Sequence, residues 1–136
     1  MAGRALVDTS AWIDALREDG DQSIGAAVRE LAADGEAVLC DLVRVELWNG
    51  AGGDAEKKLV RELERELECV PTDERVWEAA RNLARACRSK GVTIPATDLV
   101  VAACAEAHDL PLIHHDSHFD QIARARGAGC KPAIRR

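Results

Sequence analysis

No low-complexity tract interrupts this chain, and nothing in its composition prevents a packed core. A content of 47% hydrophobic and 31% charged residues is the balance of an ordinary globular domain rather than of a disordered chain. No stretch approaches the roughly 18 apolar residues of a membrane span. Asp8 breaks the apolar run near the N-terminus that a secretory leader would need, so a cytoplasmic location is expected. No C-x-x-C pair occurs. The five cysteines, Cys40, Cys69, Cys87, Cys104 and Cys130, are odd in number and scattered, which argues against structural zinc and against a disulfide framework. There is no surplus of basic charge either. A net charge of −6 counts against a passive nucleic-acid binder, which carries a basic stripe to displace phosphate counterions. Acidity does not exclude a polyanionic substrate if the carboxylates gather around a divalent cation that offsets them. With 136 residues and no repeat or linker, one domain over 1–136 is expected.

What is present reads as strands alternating with helices. Arg4 to Val7 is a short apolar-biased run, a strand that ends in Asp8-Thr9-Ser10, where Thr9 or Ser10 can cap the next helix. Trp12, Ile13 and Leu16, and then Ile24, Ala27, Val28 and Leu31, recur at helical spacing. Ala37 to Cys40 is a second strand, and Asp41 is placed as the N-cap of a helix that ends at Asn49-Gly50. Ala55 to Leu67 is a charged amphipathic helix. Cys69-Val70 is a weak strand, followed by a helix from Asp73 to near Gly91. Thr97 is placed as the cap of a helix over Asp98 to His108, Leu112-Ile113 as a strand, and Phe119, Ile122 and Ala123 in a last helix. This alternation predicts right-handed βαβ units, an α/β fold with a parallel sheet. In such open sheets the ligand site lies beyond the carboxyl ends of the strands, where Asp8 and Asp116 both fall.

Four acids stand out. Asp8 directly follows a strand, although an Asp there also caps a helix. Glu46 lies among Val45, Leu47 and Trp48, beside an apolar stripe that needs a reason to hold a carboxylate, unless Arg44 pairs with it. Asp98 opens the apolar helix of Leu99 to Ala105, where the helix dipole favours its ionised form but a capping role explains it equally. His114, His115, Asp116, His118 and Asp120 crowd together after Leu112-Ile113, a density of ligand-type side chains at a strand end that marks a candidate site.

In order, spacing and context these segments resemble PIN-domain ribonucleases, especially VapC-like toxins of bacterial toxin–antitoxin pairs, over nearly the whole chain. Asp8-Thr9-Ser10 matches the opening acid motif and Glu46 the mid-chain helical acid. Thr97 to Ala103 carries the third acid, Asp98, and Asp116-Ser117-His118-Phe119 matches the closing motif. The resemblance implies a three-layer α/β/α domain around a parallel sheet of about four to five strands. It also implies hydrolysis of RNA with Mg²⁺ or Mn²⁺ held by Asp8, Glu46, Asp98 and Asp116, Ser10 holding Asp8 or a water, a homodimer, and a small VapB-like antitoxin that covers the site. Trp12 and Trp48 flank two of the acids and are candidates to anchor that partner, with core packing as the alternative.

His118 stands where many relatives carry a second acid, which leaves a second metal in doubt and leads us to expect a site less dependent on one and more sensitive to pH. Two other readings compete. One is a degenerate PIN domain that binds RNA or protein without cleavage. The other is an aspartyl-phosphate protein built on Asp8, disfavoured because Ser10 occupies the place of a second Asp and no late lysine is well placed. Arg81, Arg85, Arg88, Lys90, Lys131, Arg135 and Arg136 are candidates for RNA contacts, none of them specific.

Overall fold

The computed structural model describes residues 3–127 and 133–134. Its elements in chain order are β1 (Ala5–Val7), α1 (Thr9–Leu16), α2 (Gln22–Ala33), β2 (Ala37–Cys40), α3 (Asp41–Gly50) and α4 (Asp54–Glu66). There follow β3 (Cys69–Val70), α5 (Glu74–Ser89), α6 (Ala96–Ala107), β4 (Leu112–Ile113), α7 (Ser117–Arg126) and β5 (Ala133–Ile134). The strands form one parallel sheet in the order β3-β2-β1-β4-β5.

Every residue of β1 and β2 is buried, the signature of parallel strands covered on both faces. The connections explain the layers. The chain steps from β1 to β2 to β3 in one direction, then returns past β1 to β4 and β5. Right-handed crossovers therefore place α1 to α4 over one face and α5 to α7 over the other. α1 packs against α2 and α3 against α4 in one group, α5, α6 and α7 pack against each other in the second, and α3 also meets α6 across the two groups. Leu6, Val7, Val38, Leu39, Val43, Leu83, Val101 and Ile113 lie in the core between these layers.

The direction of travel reverses at β1 and β4, which are neighbours, and an open sheet presents its ligand crevice at such a point. Asp8 leaves β1 with its N–H bonded to the Ile113 carbonyl of β4 at 2.9 Å.

Two assignments move by a residue or two. Cys40, not Asp41, is the N-cap of α3, because β2 runs directly into the helix. Asp41 instead accepts from the Thr72 hydroxyl at 3.1 Å. Pro95 is the N-cap of α6 and Thr97 sits inside the first turn, since the fixed φ of proline suits the entry to a helix. Trp12 is a core residue, 2% exposed, so it offers no surface to a partner. Trp48 is half-buried, with the Arg61 guanidinium 5.9 Å from its ring centre. The strand at Ala133–Ile134 has no sequence signal beyond two apolar residues. Lys131, Arg135, Arg136 and Cys130 lie outside the described residues.

The turn between α1 and α2 is closed against Asp14. A Cβ at Gly20 would stand 2.5 Å from the Asp14 Cα and 2.6 Å from its carbonyl oxygen, and one at Gly25 2.7 Å from that same oxygen. These are backbone atoms that cannot swing aside, so Gly20→Ala is expected to cost about 2 kcal/mol in urea unfolding. A variant as stable as wild type would show that the turn can open without loss.

Candidate metal centre

Asp8 is the N-cap of α1, and its Oδ2 accepts both the Ser10 N–H at 2.9 Å and the Ser10 hydroxyl at 2.6 Å. The geometry therefore bears out the capping reading of this residue. Its carboxyl is 4% exposed, and burial pushes its pKa from 3.8 up to about 6. The Ser10 bonds pull the other way, and the negative charges of Glu46 and Asp98 add to the rise. Three acids distant in sequence thus sense each other at one place.

Glu46 is half-buried on α3 and accepts the Thr9 hydroxyl at 2.7 Å. Arg44 does not pair with it. That guanidinium lies 2.7 Å from Glu64 and 3.6 Å from Asp41, on the other side of the helix from the site. Asp98 stands in the first turn of α6, and Asp116 is the N-cap of α7, accepting the His118 N–H at 2.9 Å. The His118 Nδ1 lies 2.8 Å from Asp98 and 3.3 Å from Asp116, so the ring is turned toward the acids while its side chain stays 37% exposed. Asp120, in the first turn of α7, lies with its Oδ1 3.8 Å from the buried His114 Nε2.

The donor set fits a divalent cation. One ligand atom from each of Asp98, Asp116 and His118 lies within 4.8 Å of the others, and hard carboxylate oxygens with at most one nitrogen suit Mg²⁺ or Mn²⁺. The raised pKa of Asp8 is a second indication, since a buried carboxyl near other negative charges is short of the positive charge that would keep it ionised.

A profile for the PIN domain matches residues 5–125. The chain belongs to the PIN-domain family. Ribonuclease VapC11 of Mycobacterium tuberculosis is 34% identical over 124 residues, which span 88% of this chain and 91% of that protein. Ribonuclease VapC18 of the same organism is 30% identical over 89% of this chain and 88% of its own length. Among solved structures, that of VapBC-5, a toxin–antitoxin family member from M. tuberculosis, superposes with a TM-score of 0.72. The match has 20% identity and covers 99% of this chain and 100% of that one. Residues 5–125 contain all four acids.

Sequence reasoning missed three contacts at this site. Thr9 holds Glu46. Asp14, 7% exposed, accepts the His115 Nδ1 at 2.7 Å. The His115 N–H donates to the Ser10 hydroxyl oxygen at 2.9 Å. The available signal was the spacing of Ser10 and Asp14, four apart and hence on one face of α1.

Proposed function

We propose that this PIN domain is a metal-dependent endoribonuclease, the toxin of a VapBC-type toxin–antitoxin pair. The observation that carries the reading is the cluster of Asp98, Asp116 and His118, with ligand atoms within 4.8 Å of one another, beside a buried Asp8 whose carboxyl feels the charges of Glu46 and Asp98, in a PIN domain. The named ribonuclease relatives point to RNA as the substrate.

In this reading Asp8, Asp98 and Asp116 hold Mg²⁺ or Mn²⁺, directly or through water. The bound cation supplies charge compensation for the scissile phosphate and a water that ionises more readily. Ser10 fixes the Asp8 carboxylate through Oδ2 and leaves Oδ1 for the site. Thr9 occupies Glu46 Oε1, leaving Oε2 to accept a proton from the attacking water. No protein nucleophile is needed, and the burial of Asp8 keeps bulk water from competing for its oxygens.

The test is internal cleavage of end-labelled single-stranded RNA by the purified protein, restored by Mg²⁺ or Mn²⁺ after EDTA treatment. RNA left intact at every cation concentration, with the protein folded, would favour the second reading, a domain that binds without cutting. The observation behind that alternative is the His118 ring lying between Asp98 and Asp116.

His118 also sets the expected metal preference. A nitrogen donor suits Mn²⁺ better than Mg²⁺, so His118→Asp should raise the Mg²⁺-supported rate relative to the Mn²⁺-supported rate by about tenfold, the scale on which changes near a metal act. Equal ratios in wild type, His118→Asp and His118→Ala would remove His118 from the site.

The partners follow from the same reading. A homodimer is expected, together with an antitoxin whose extended or helical segment covers the acids. An apolar groove of about 190 Å³ opens beside Glu46, lined by Thr9, Ile13, Leu16, Leu47 and Leu59. Ile13 and Leu16 are 38% and 43% exposed, which suits the apolar face of a partner helix. Expression without the antitoxin should arrest growth. Strong expression in growing cells would count against a toxin. Among the described residues no helix is long and apolar enough to cross a membrane.

A further inference from the structure

Asp14 is a buried carboxylate that lies outside the four acids of the metal centre, and the fold commits heavily to its position. Gly20 and Gly25 leave no room for a side chain against its backbone. Its Oδ1 accepts the Asp21 N–H at 2.8 Å, and its Oδ2 faces the His115 Nδ1 at 2.7 Å. A buried carboxylate is costly unless its oxygens are satisfied, and here one of the two bonds reaches 101 residues along the chain. Because the carboxylate can only accept, Nδ1 is the donor.

The ring is thereby fixed, and with it the backbone that joins β4 to Asp116. The His115 N–H occupies a lone pair of the Ser10 oxygen at 2.9 Å. The one hydroxyl proton of Ser10 is then directed to Asp8 Oδ2, 2.6 Å away. We propose that Asp14 and His115 are a positioning pair for the metal-centre carboxylate Asp8, acting through the hydroxyl of Ser10. The proposal rests on the metal-centre reading above. It gives α1 two tasks on one face, with Ser10 touching the ligand and Asp14, one turn later, holding the loop that orients Ser10. Partners in this outer position typically change metal affinity by about 10–100-fold when removed.

Two amide variants separate this role from direct contact with RNA. In His115→Asn the amide nitrogen takes the place of Nδ1 and can still donate to Asp14. In His115→Gln the amide reaches the place of Nε2 and the bond to Asp14 is lost. Mn²⁺ binding to the full chain is measured by calorimetry, with circular dichroism and melting temperature recorded for each variant. The expected result is affinity close to wild type for His115→Asn and about tenfold weaker for both His115→Gln and Ser10→Ala. The double variant His115→Gln/Ser10→Ala should lose little beyond Ser10→Ala alone, because both act on one link.

Wild-type affinity in His115→Gln, full additivity in the double variant, or the reverse order with Gln retained and Asn impaired would each overturn the pair. If His115→Gln does not fold, Ser10→Ala decides, and wild-type affinity there breaks the link to Asp8. A wild-type protein that binds no Mn²⁺ would overturn the metal-centre reading itself, an outcome distinct from failure of the pair alone.

Discussion

Asp8→Asn is expected to lower RNA cleavage by at least about 100-fold, the upper end of what loss of an outer partner costs a metal site, while the protein stays folded. The amide has nearly the size of the carboxylate, and its oxygen can still accept the Ser10 N–H and hydroxyl, so the N-cap of α1 survives. What it loses is the anionic oxygen that a hard cation requires. Asp8 is buried, held by Ser10 and close enough to Glu46 and Asp98 to feel their charge. A variant that cleaves at the wild-type rate would remove Asp8 from the centre of the site. Single-turnover rates at saturating Mn²⁺ are the suitable measurement, since they separate chemistry from product release.

The same substitution should stabilise the cation-free protein, by an amount that grows with pH. Asp8 has a folded-state pKa near 6 against 3.8 for an ordinary aspartate, so the folded protein binds this proton more tightly than the unfolded chain does. The stability linked to that proton is therefore full below about pH 4 and is lost as pH rises through about 6. The difference corresponds to about 3 kcal/mol. Other carboxylates titrate over the same range, but a comparison of variant with wild type isolates Asp8. In EDTA, urea unfolding should give equal stabilities near pH 4, with Asp8→Asn ahead by up to about 3 kcal/mol at pH 7.5. Added Mn²⁺ should then shrink the gap, because only wild type gains from binding it. A gap that is constant with pH would mean that Asp8 ionises in the folded protein as it does in water.

Much of this was legible in the sequence for local reasons. Leu6-Val7 runs straight into Asp8 and Leu112-Ile113 is followed by His114, His115 and Asp116, and the alternation of such runs with helical periodicity dictates a parallel sheet whose strand ends face one crevice. Cys69-Val70 carried little signal by itself, yet it forms the edge strand beside Leu39 and Cys40, since parallel pairing is decided by tertiary packing more than by propensity. The helix entries at Pro95 and Cys40 differ from the sequence expectation because the fixed φ of proline suits a helix entry and β2 runs directly into α3. Asp14 was legible only as a neighbour of Ser10 on one face of α1. Its meaning depends on His115, and no periodicity joins residues that far apart. Nor could residue type decide that His118 would turn toward Asp98, because an imidazole at a helix start serves equally well in solvent.

Whether Asp8, Asp98 and Asp116 hold one divalent cation between β1 and β4 can be read from crystals of the protein soaked in MnCl₂ and measured at a wavelength where manganese scatters anomalously. The expected result is an anomalous peak about 2.1 Å from carboxylate oxygens of this cluster, with Asp8 among the ligands directly or through one water, and its loss in Asp8→Asn. An empty cluster at saturating Mn²⁺, or a peak held by other residues while this cluster stays vacant, would rule out this metal centre.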